Sequence, residues 1–283
     1  MGLVYEATDV RDGSRAAIKV LLDTGSDDER RLLADLFDIE VEALRRMNHP
    51  MAARLFGEGT NPRWLAMPFF DGERLGDVLL RGPLPWTRVV TIAQGLCAAL
   101  GAAHEKGIIH RDVKPSNVLL LPGDQVVLLD FGVARLSDRH DPTSRADPER
   151  VFGSPHTVAP EQVGRLPTDA RTDVYGLGIL MFRLLSGTWP YHGAGRRQTL
   201  EAHLEKRAPD VRKSVPDAEI PHGLATVVLK AMARMPEERF PSTNALSAAL
   251  GTVANTDGLV VSALVGLIFS VLMIGAVWWV TAS

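Results

Sequence analysis

The hydrophobic pattern of this chain changes about 70 residues from its start. Before that point, short apolar runs at 5–8, 16–21 and 64–67 predict strands, and the turn residues Asp12-Gly13-Ser14 predict a hairpin between the first two. Residues 27–47 carry apolar side chains every three or four positions, which predicts an amphipathic helix. Pro50 ends that pattern, since a proline disfavours helical backbone before it.

The rest of the chain reads mainly as helix. Helical periodicity is expected over 75–80, 89–106, 173–186, 223–235 and 243–250. Two apolar runs, 117–121 and 125–129, flank Pro122-Gly123-Asp124 and predict a second hairpin. The fold class is therefore α+β, with a small antiparallel β lobe and one helix over 1–70 and a larger helical lobe over 71–250.

The C-terminal stretch 258–280 contains no charged residue. As a helix, its residues would span ~34 Å, against a membrane hydrocarbon core of ~30 Å. Trp278 and Trp279 lie at its far end, where membrane interfaces favour such rings. The alternative is a buried core helix. We expect a transmembrane helix that follows a polar linker at 251–257 and leaves a tail at 281–283.

Composition narrows the class of protein further. The chain has 283 residues and a net charge of −3, so no nucleic-acid partner is expected. Its one cysteine, Cys97, excludes an internal disulfide and lies in an apolar run that predicts a buried helix position. The eight histidines have no metal-ligand spacing.

The most informative segment runs from His110 to Asn117 and is followed by Asp130-Phe131-Gly132. Asp112 can accept or orient a hydroxyl proton, and Lys114 can reach a transferring phosphate. Asn117 and Asp130 supply hard oxygen ligands for Mg²⁺, or for Mn²⁺ in its place. Phosphoryl transfer from Mg·ATP requires this positioning and charge neutralisation.

A lysine and a glutamate upstream complete the set. Lys19 on the second predicted strand can pair with the α and β phosphates of ATP if an acidic side chain steadies it. Glu40 on the following helix is the first candidate for that acid, and Glu42 is the alternative.

These motifs together resemble the eukaryotic-like serine/threonine protein kinases of bacteria, from Gly2 to about Leu250. Residues 16–19 (Ala-Ala-Ile-Lys) and 159–161 (Ala-Pro-Glu) resemble two further motifs of that family. The resemblance implies a two-lobed protein-kinase-like fold, ATP and Mg²⁺ as cofactors, and protein substrates. Lys114 implies serine/threonine specificity.

The resemblance also implies roles for individual residues. Met67 resembles the gatekeeper and 68–70 the hinge that meets adenine. The full set expected around ATP is Gly2, Val4, Ala17, Lys19, Met67, Pro68, Phe70 and Leu119. Asp173 resembles the helix aspartate that braces the catalytic loop, and Glu161 and Arg239 resemble a buried ion pair.

Regulation is implied in the same way. Arg111 before Asp112 implies control by phosphorylation of the activation loop, because its guanidinium can pair with a phosphate. Thr143 and Ser144 are the expected autophosphorylation sites, which allows a homodimer as a partner. An ATP-using domain belongs in the cytoplasm, so we expect a single-pass protein of the cell membrane with a cytoplasmic kinase domain.

The pattern departs from the family at the glycine-rich loop, of which only Gly2-Leu3-Val4 is present. We therefore expect that the first strand is missing, either through a start assigned too far downstream or through genuine truncation. Weak or absent kinase activity of this chain would follow. Two other functions stay open: a non-catalytic pseudokinase scaffold and a small-molecule phosphotransferase.

Overall fold

The computed structural model describes residues 2–145 and 152–254. An antiparallel sheet with the strand order β1-β2-β4-β3 opens the fold. Its strands are β1 (Gly2–Thr8), β2 (Arg15–Leu21), β3 (Gly57–Thr60) and β4 (Arg63–Pro68). Lys19 lies in β2, opposite Val4 of β1 and Leu65 of β4. Strand β1 forms one edge of the described sheet, and the expected loss of a strand before it stays a prediction.

Helix α1 (Asp27–Arg46) follows this sheet's first hairpin. It begins at a capping box, in which Ser26 and Glu29 each accept the other's backbone N–H on a side-chain oxygen. This exchange satisfies two donors that a helix start otherwise leaves unpaired. Leu36 and Leu44 are buried on its inner face, and Glu40 shares that face. The predicted helix over 27–47 is confirmed.

The described residues after this sheet are mainly helical, as predicted. The helices are α2 (Leu75–Val78), α3 (Trp86–Glu105), α4 (Pro160–Val163), α5 (Ala170–Ser186), α6 (Arg196–Glu205), α7 (Val211–Ser214), α8 (His222–Ala231) and α9 (residues 243–254). Helix α5 contacts α3 and α8 and is buried along most of its length. A Cβ at Gly178 would lie 2.8 Å from Cγ of Met232, so this glycine permits the close approach of α5 and α8.

Short elements complete the frame of the site. The strands are β5 (Glu73–Arg74), β6 (Ile108–Ile109), β7 (Val118–Leu120), β8 (Val126–Leu128) and β9 (Arg135–Leu136). Single 3₁₀ turns lie at Leu79–Arg81, Pro115–Asn117, Pro122–Asp124, Pro142–Arg145 and Pro236–Glu238. The β7–β8 pair is the second predicted hairpin, and it carries the 110–117 segment and Asp130 at its two ends.

One hydrophobic core joins the sheet, α1 and the helical part. Leu65 of β4, Leu44 of α1 and Phe131 are among its fully buried members. Cys97 of α3 lies in the same core and is completely covered, as expected. The phosphoryl-transfer motifs are thus attached to a continuous packed interior.

Two element boundaries near the end of the described chain differ from the sequence expectation. Helix α8 ends at Ala231, four residues before the predicted end, and α9 continues to residue 254. Residues 251–254 are therefore helical where the start of a linker was expected, because the helical hydrogen bonds continue past Leu250. The predicted membrane span over 258–280 lies outside the described residues. Within the two described ranges, no helix combines the length and apolar character needed to cross a bilayer.

Candidate active site

Lys19, Glu40 and Asp130 form an ionic cluster between the sheet and the helical part. The Lys19 Nζ lies 2.7 and 2.6 Å from the two carboxylate oxygens of Glu40 and 3.1 Å from Oδ1 of Asp130. Glu40 is only 2% exposed. Because a buried carboxylate requires a partner of opposite charge, α1 and β2 are held together at this point.

The alternative glutamate lies elsewhere. Glu42 receives Arg46 Nε at 2.8 Å and also pairs with Arg45 and Arg139. Two positions along a helix correspond to a rotation of about 200°, so Glu40 and Glu42 occupy different faces of α1. The structure brings Glu40, and not Glu42, to Lys19.

Burial and charge act against each other in this cluster. Burial alone would lower the pKa of Lys19, but Glu40 and Asp130 outweigh it and raise that pKa above its usual value. Burial raises the pKa of Glu40, although Lys19 pulls it down. Burial would also raise the pKa of Asp130, but Lys19 outweighs it and the pKa falls below its usual value. Lys19 and Asp130 are therefore both charged at neutral pH.

The 110–117 segment forms a loop between β6 and β7 that is held from several sides. Asp112 accepts Lys114 Nζ on Oδ2, Asn117 Nδ2 on the same oxygen at 3.2 Å, and the Ser154 backbone N–H on Oδ1 at 3.0 Å. The Asn117 Nδ2 also donates to the Asp112 backbone carbonyl at 2.9 Å. The predicted acid, lysine and amide are therefore in direct contact.

Asp173 of α5 holds this loop in place through hydrogen bonds to its backbone. Its carboxylate accepts the backbone N–H groups of His110 at 2.9 Å and Arg111 at 2.8 Å, and it contacts His104 Nε2 at 2.7 Å. Burial would raise the pKa of Asp173, but His104 and His110 outweigh it and keep the pKa low. Arg111 has a φ of 66°, a conformation that non-glycine residues adopt only with support.

The Asp-Phe-Gly turn places Asp130 at the edge of the cleft. Asp130 also has a positive φ, 60°, and its Oδ1 accepts the Gly132 N–H at 3.2 Å. Phe131 is fully buried, and its ring centroid lies 4.9 Å from that of His110. His110 therefore packs against the Phe131 ring.

A cavity of about 800 Å³ opens beside these side chains. This volume lies within the range of small-molecule sites. It is lined by all eight residues predicted to surround ATP: Gly2, Val4, Ala17, Lys19, Met67, Pro68, Phe70 and Leu119. The cavity is also lined by Glu40, Asn117 and Asp130. Apolar side chains and ionic side chains therefore line one and the same cleft.

Asn117 and Asp130 are the donors that could hold a divalent cation. Among the residues that the structure describes, no three His, Cys, Asp or Glu side chains converge as a complete metal cage. Magnesium in phosphoryl-transfer sites needs only one or two protein oxygens, because phosphates and water complete its shell. One carboxylate and one carboxamide on the same cleft fit that ion.

Arg111 forms an ion pair with Asp141, which lies in the segment after β9. Its Nη2 donates to Oδ2 of Asp141 and, at 3.1 Å, to Oγ1 of Thr168. Thr143 donates its backbone N–H and hydroxyl to Oδ1 of Asp141 at 3.0 and 2.7 Å. The side chain of Ser144 lies outside the described part, so its predicted modification has no structural counterpart here.

Glu161 and Arg239 form the buried pair that the resemblance implied. Arg239 Nη1 and Nη2 each lie 2.8 Å from a different Glu161 oxygen, and both side chains are nearly inaccessible. Arg239 also donates to the backbone carbonyls of Ala233, Arg171 and Arg234. The pair joins the start of α4 to the chain that precedes α9.

Sequence reasoning missed several members of the site. His104 in α3 contacts Asp173, and Asp141 and Thr168 surround Arg111. His104 falls near the end of an apolar helix, which is the one signal that could have marked it as inward facing. Asp141 lies in a polar stretch without periodicity, so no pattern distinguishes it from its neighbours.

Comparison with known proteins assigns most of the chain to one protein family. Residues 1–250 match the protein kinase domain family. Serine/threonine-protein kinase pkn2 of Myxococcus xanthus is 36% identical over 255 residues, which cover 88% of this chain and 30% of that protein. Serine/threonine-protein kinase Pkn1 of the same organism is 37% identical over 261 residues, covering 88% and 36%.

A mycobacterial protein gives the same result. Serine/threonine-protein kinase PknL of Mycobacterium tuberculosis is 32% identical over 254 residues, which cover 89% of this chain and 62% of that protein. The chain thus spans about a third of the length of the two Myxococcus relatives and under two thirds of PknL. With its family match and the cleft described above, the chain belongs to the protein kinase family.

Proposed function

We propose that this chain transfers the γ-phosphoryl group of Mg·ATP to serine and threonine hydroxyls of protein substrates, in place of the weak or absent activity expected from the incomplete glycine-rich loop. The observation that carries the proposal is the convergence of Lys19, Asn117 and Asp130 on the cleft that the predicted adenine-binding residues also line. Asp112 and Lys114 line a smaller recess that shares Asp130 with that cleft. Relatives named serine/threonine-protein kinases support the choice of hydroxyl.

Each side chain has a distinct part in this proposal. Lys19, fixed by Glu40, binds the phosphates of ATP, and the apolar walls of the cleft take adenine. Asp112 accepts a hydrogen bond from the substrate hydroxyl and orients it for attack. Lys114, in contact with Asp112, stabilises charge on the transferring phosphoryl group. Asn117 and Asp130 would hold Mg²⁺, which supplies neutralisation of phosphate charge when bound.

The test is incorporation of phosphate from Mg·ATP into a generic basic protein, followed by analysis of the modified amino acid. We expect phosphoserine and phosphothreonine, and a loss of about 100-fold or more in Asp112→Asn and Asp130→Asn. Asp217→Asn removes an exposed carboxylate far along the chain and serves as the matched control. Binding of Mg·ATP without transfer would favour the scaffold, and transfer to small molecules alone would favour the third function.

The membrane anchor forms a second part of the proposal. The uncharged stretch 258–280 is long enough to cross a bilayer. We expect the full chain to stay with the membrane fraction in high salt and to be released by detergent. Recovery in the supernatant without detergent would contradict an anchor.

A further inference from the structure

The guanidinium of Arg111 is the starting point. Its side chain is 11% exposed, and Nε and Nη2 contact Thr168 Oγ1 at 3.2 and 3.1 Å. A hydroxyl does not neutralise a buried arginine, so a nearby anion is required. Asp141 provides it, with Oδ2 bound to Nη2.

Asp141 is also tied to its own segment. Its Oδ1 accepts two hydrogen bonds from Thr143, one from the backbone N–H and one from the hydroxyl. One carboxylate oxygen therefore faces the catalytic loop and the other faces the segment after β9. Burial would raise the pKa of Asp141, but Arg111 outweighs it, so the carboxylate is charged at neutral pH.

A second ionic contact ties the same segment to α1. Asp138 accepts Arg46 Nη1 and Nη2 at 2.9 and 3.0 Å. This two-point geometry is the most directional form of an arginine–carboxylate pair. Since α1 carries Glu40, the stretch from Asp138 to Thr143 is attached at one end to the helix behind Lys19 and at the other to the loop of Asp112.

We propose that Asp141 is a built-in positioning residue, whose carboxylate docks the segment after β9 on Arg111 in the role that a phosphorylated side chain would otherwise fill. The inference rests on the proposed kinase function and concerns the regulation of its site. It replaces the sequence expectation that Arg111 waits for a phosphate. The chain then reaches its active arrangement without modification of this segment.

Thr143 gives the proposal a further consequence. Its hydroxyl donates to Asp141 Oδ1 at 2.7 Å, so a phosphate on that oxygen would remove the donor and set a second anion against the carboxylate. The two anions would compete for one guanidinium. Phosphorylation of Thr143 would therefore weaken the docking of this segment on Arg111, and the docking does not need it.

The experiment compares unphosphorylated proteins, made by co-expressing the full chain with a phosphatase and verified by intact mass. The variants are Asp141→Asn, Asp141→Glu and the matched surface control Asp217→Asn. We expect active wild type and control, a fall of about tenfold or more in kcat for Asp141→Asn with a nearly constant KM for ATP, and substantial recovery in Asp141→Glu. Equal kcat in wild type and Asp141→Asn, or a wild type active only after phosphorylation, overturns the proposal.

Hydrogen exchange separates this inference from the kinase assignment. Amides of residues 138–143 should exchange faster in Asp141→Asn than in wild type, at an unchanged melting temperature. If no form of the protein transfers phosphate, the proposed function fails and the exchange result alone decides whether Asp141 holds the segment. Identical exchange in both proteins overturns the docking role.

Discussion

The backbone N–H of Arg111 donates a 2.8 Å hydrogen bond to Oδ1 of Asp173, a residue 62 positions further along the chain. The other oxygen of that carboxylate takes the N–H of His110. Two consecutive amides are thus fixed to one buried acid, immediately before Asp112. The left-handed backbone at Arg111 persists because α5 supplies this acceptor at a rigid position.

Replacing Asp173 by Asn should loosen the loop while conserving side-chain shape. An amide has one acceptor oxygen, so one of the two backbone donors loses its partner at a cost of about 1–3 kcal/mol. We expect a lower melting temperature and a lower kcat. Asp169→Asn on the same helix is the control, because asparagine is an equally good helix N-cap. Equal behaviour of the two variants would contradict the bracing role.

The Lys19–Glu40 contact predicts that substitutions of two glutamates on one helix have different effects on activity. Glu40→Gln removes the charge that fixes Lys19 and should reduce kcat/KM about 100-fold. Glu42→Gln leaves Lys19 untouched and should retain most of the activity. Steady-state kinetics with Mg·ATP check both variants. A larger loss in Glu42→Gln would exchange their roles.

Stability should depend strongly on the Arg239–Glu161 pair. Arg239→Ala leaves the Glu161 carboxylate buried without its cation, which costs about 3–5 kcal/mol. Chemical denaturation should show a correspondingly lower midpoint. Arg212→Ala removes an exposed partner of Asp210 and should leave the midpoint almost unchanged. Similar shifts in both variants would argue against a structural role for the buried pair.

His203 predicts a pH dependence of folding. Burial lowers its pKa from 6.5 to about 4, and its Nδ1 lies 2.7 Å from the Tyr175 hydroxyl. The unfolded chain therefore binds a proton below pH 6.5 that the folded chain takes up only near pH 4. The neutral form contributes stability that is complete above pH 6.5 and is lost as the pH falls, by about 3 kcal/mol in total.

Urea denaturation between pH 7 and 4 measures this contribution. His203→Gln keeps an acceptor for Tyr175 but cannot take up a proton. The free energy of unfolding should fall less steeply with decreasing pH in this variant than in wild type. Parallel curves would show that His203 does not cause the acid loss.

The active-site motifs could be read from the sequence because their members lie close together along the chain. Asp112, Lys114 and Asn117 occupy one loop, and their spacing alone brings them into contact. The pairing of Lys19 with Glu40 was harder to predict, because helix periodicity left Glu42 as an alternative. Packing in the folded chain decides which face of α1 meets the sheet. The fold class followed from the change of period near residue 70.

Contacts made by the polar loops could not be predicted from the sequence. Asp141 reaches Arg111 across 30 positions, and Asp138 reaches Arg46 across 92. Either aspartate would look the same in a solvent-exposed turn, because a carboxylate in a stretch without periodicity carries no record of its partner. Only the folded chain determines which of several arginines each one meets.

The covered position of Cys97 has a practical use. It is the sole thiol of the chain, it has no accessible surface, and burial raises its pKa to about 12. The reactive thiolate is therefore almost absent in the folded state, and a reagent can meet it only when α3 separates from its neighbours. The rate of alkylation of the native protein consequently measures how often the interior opens, with no engineered label.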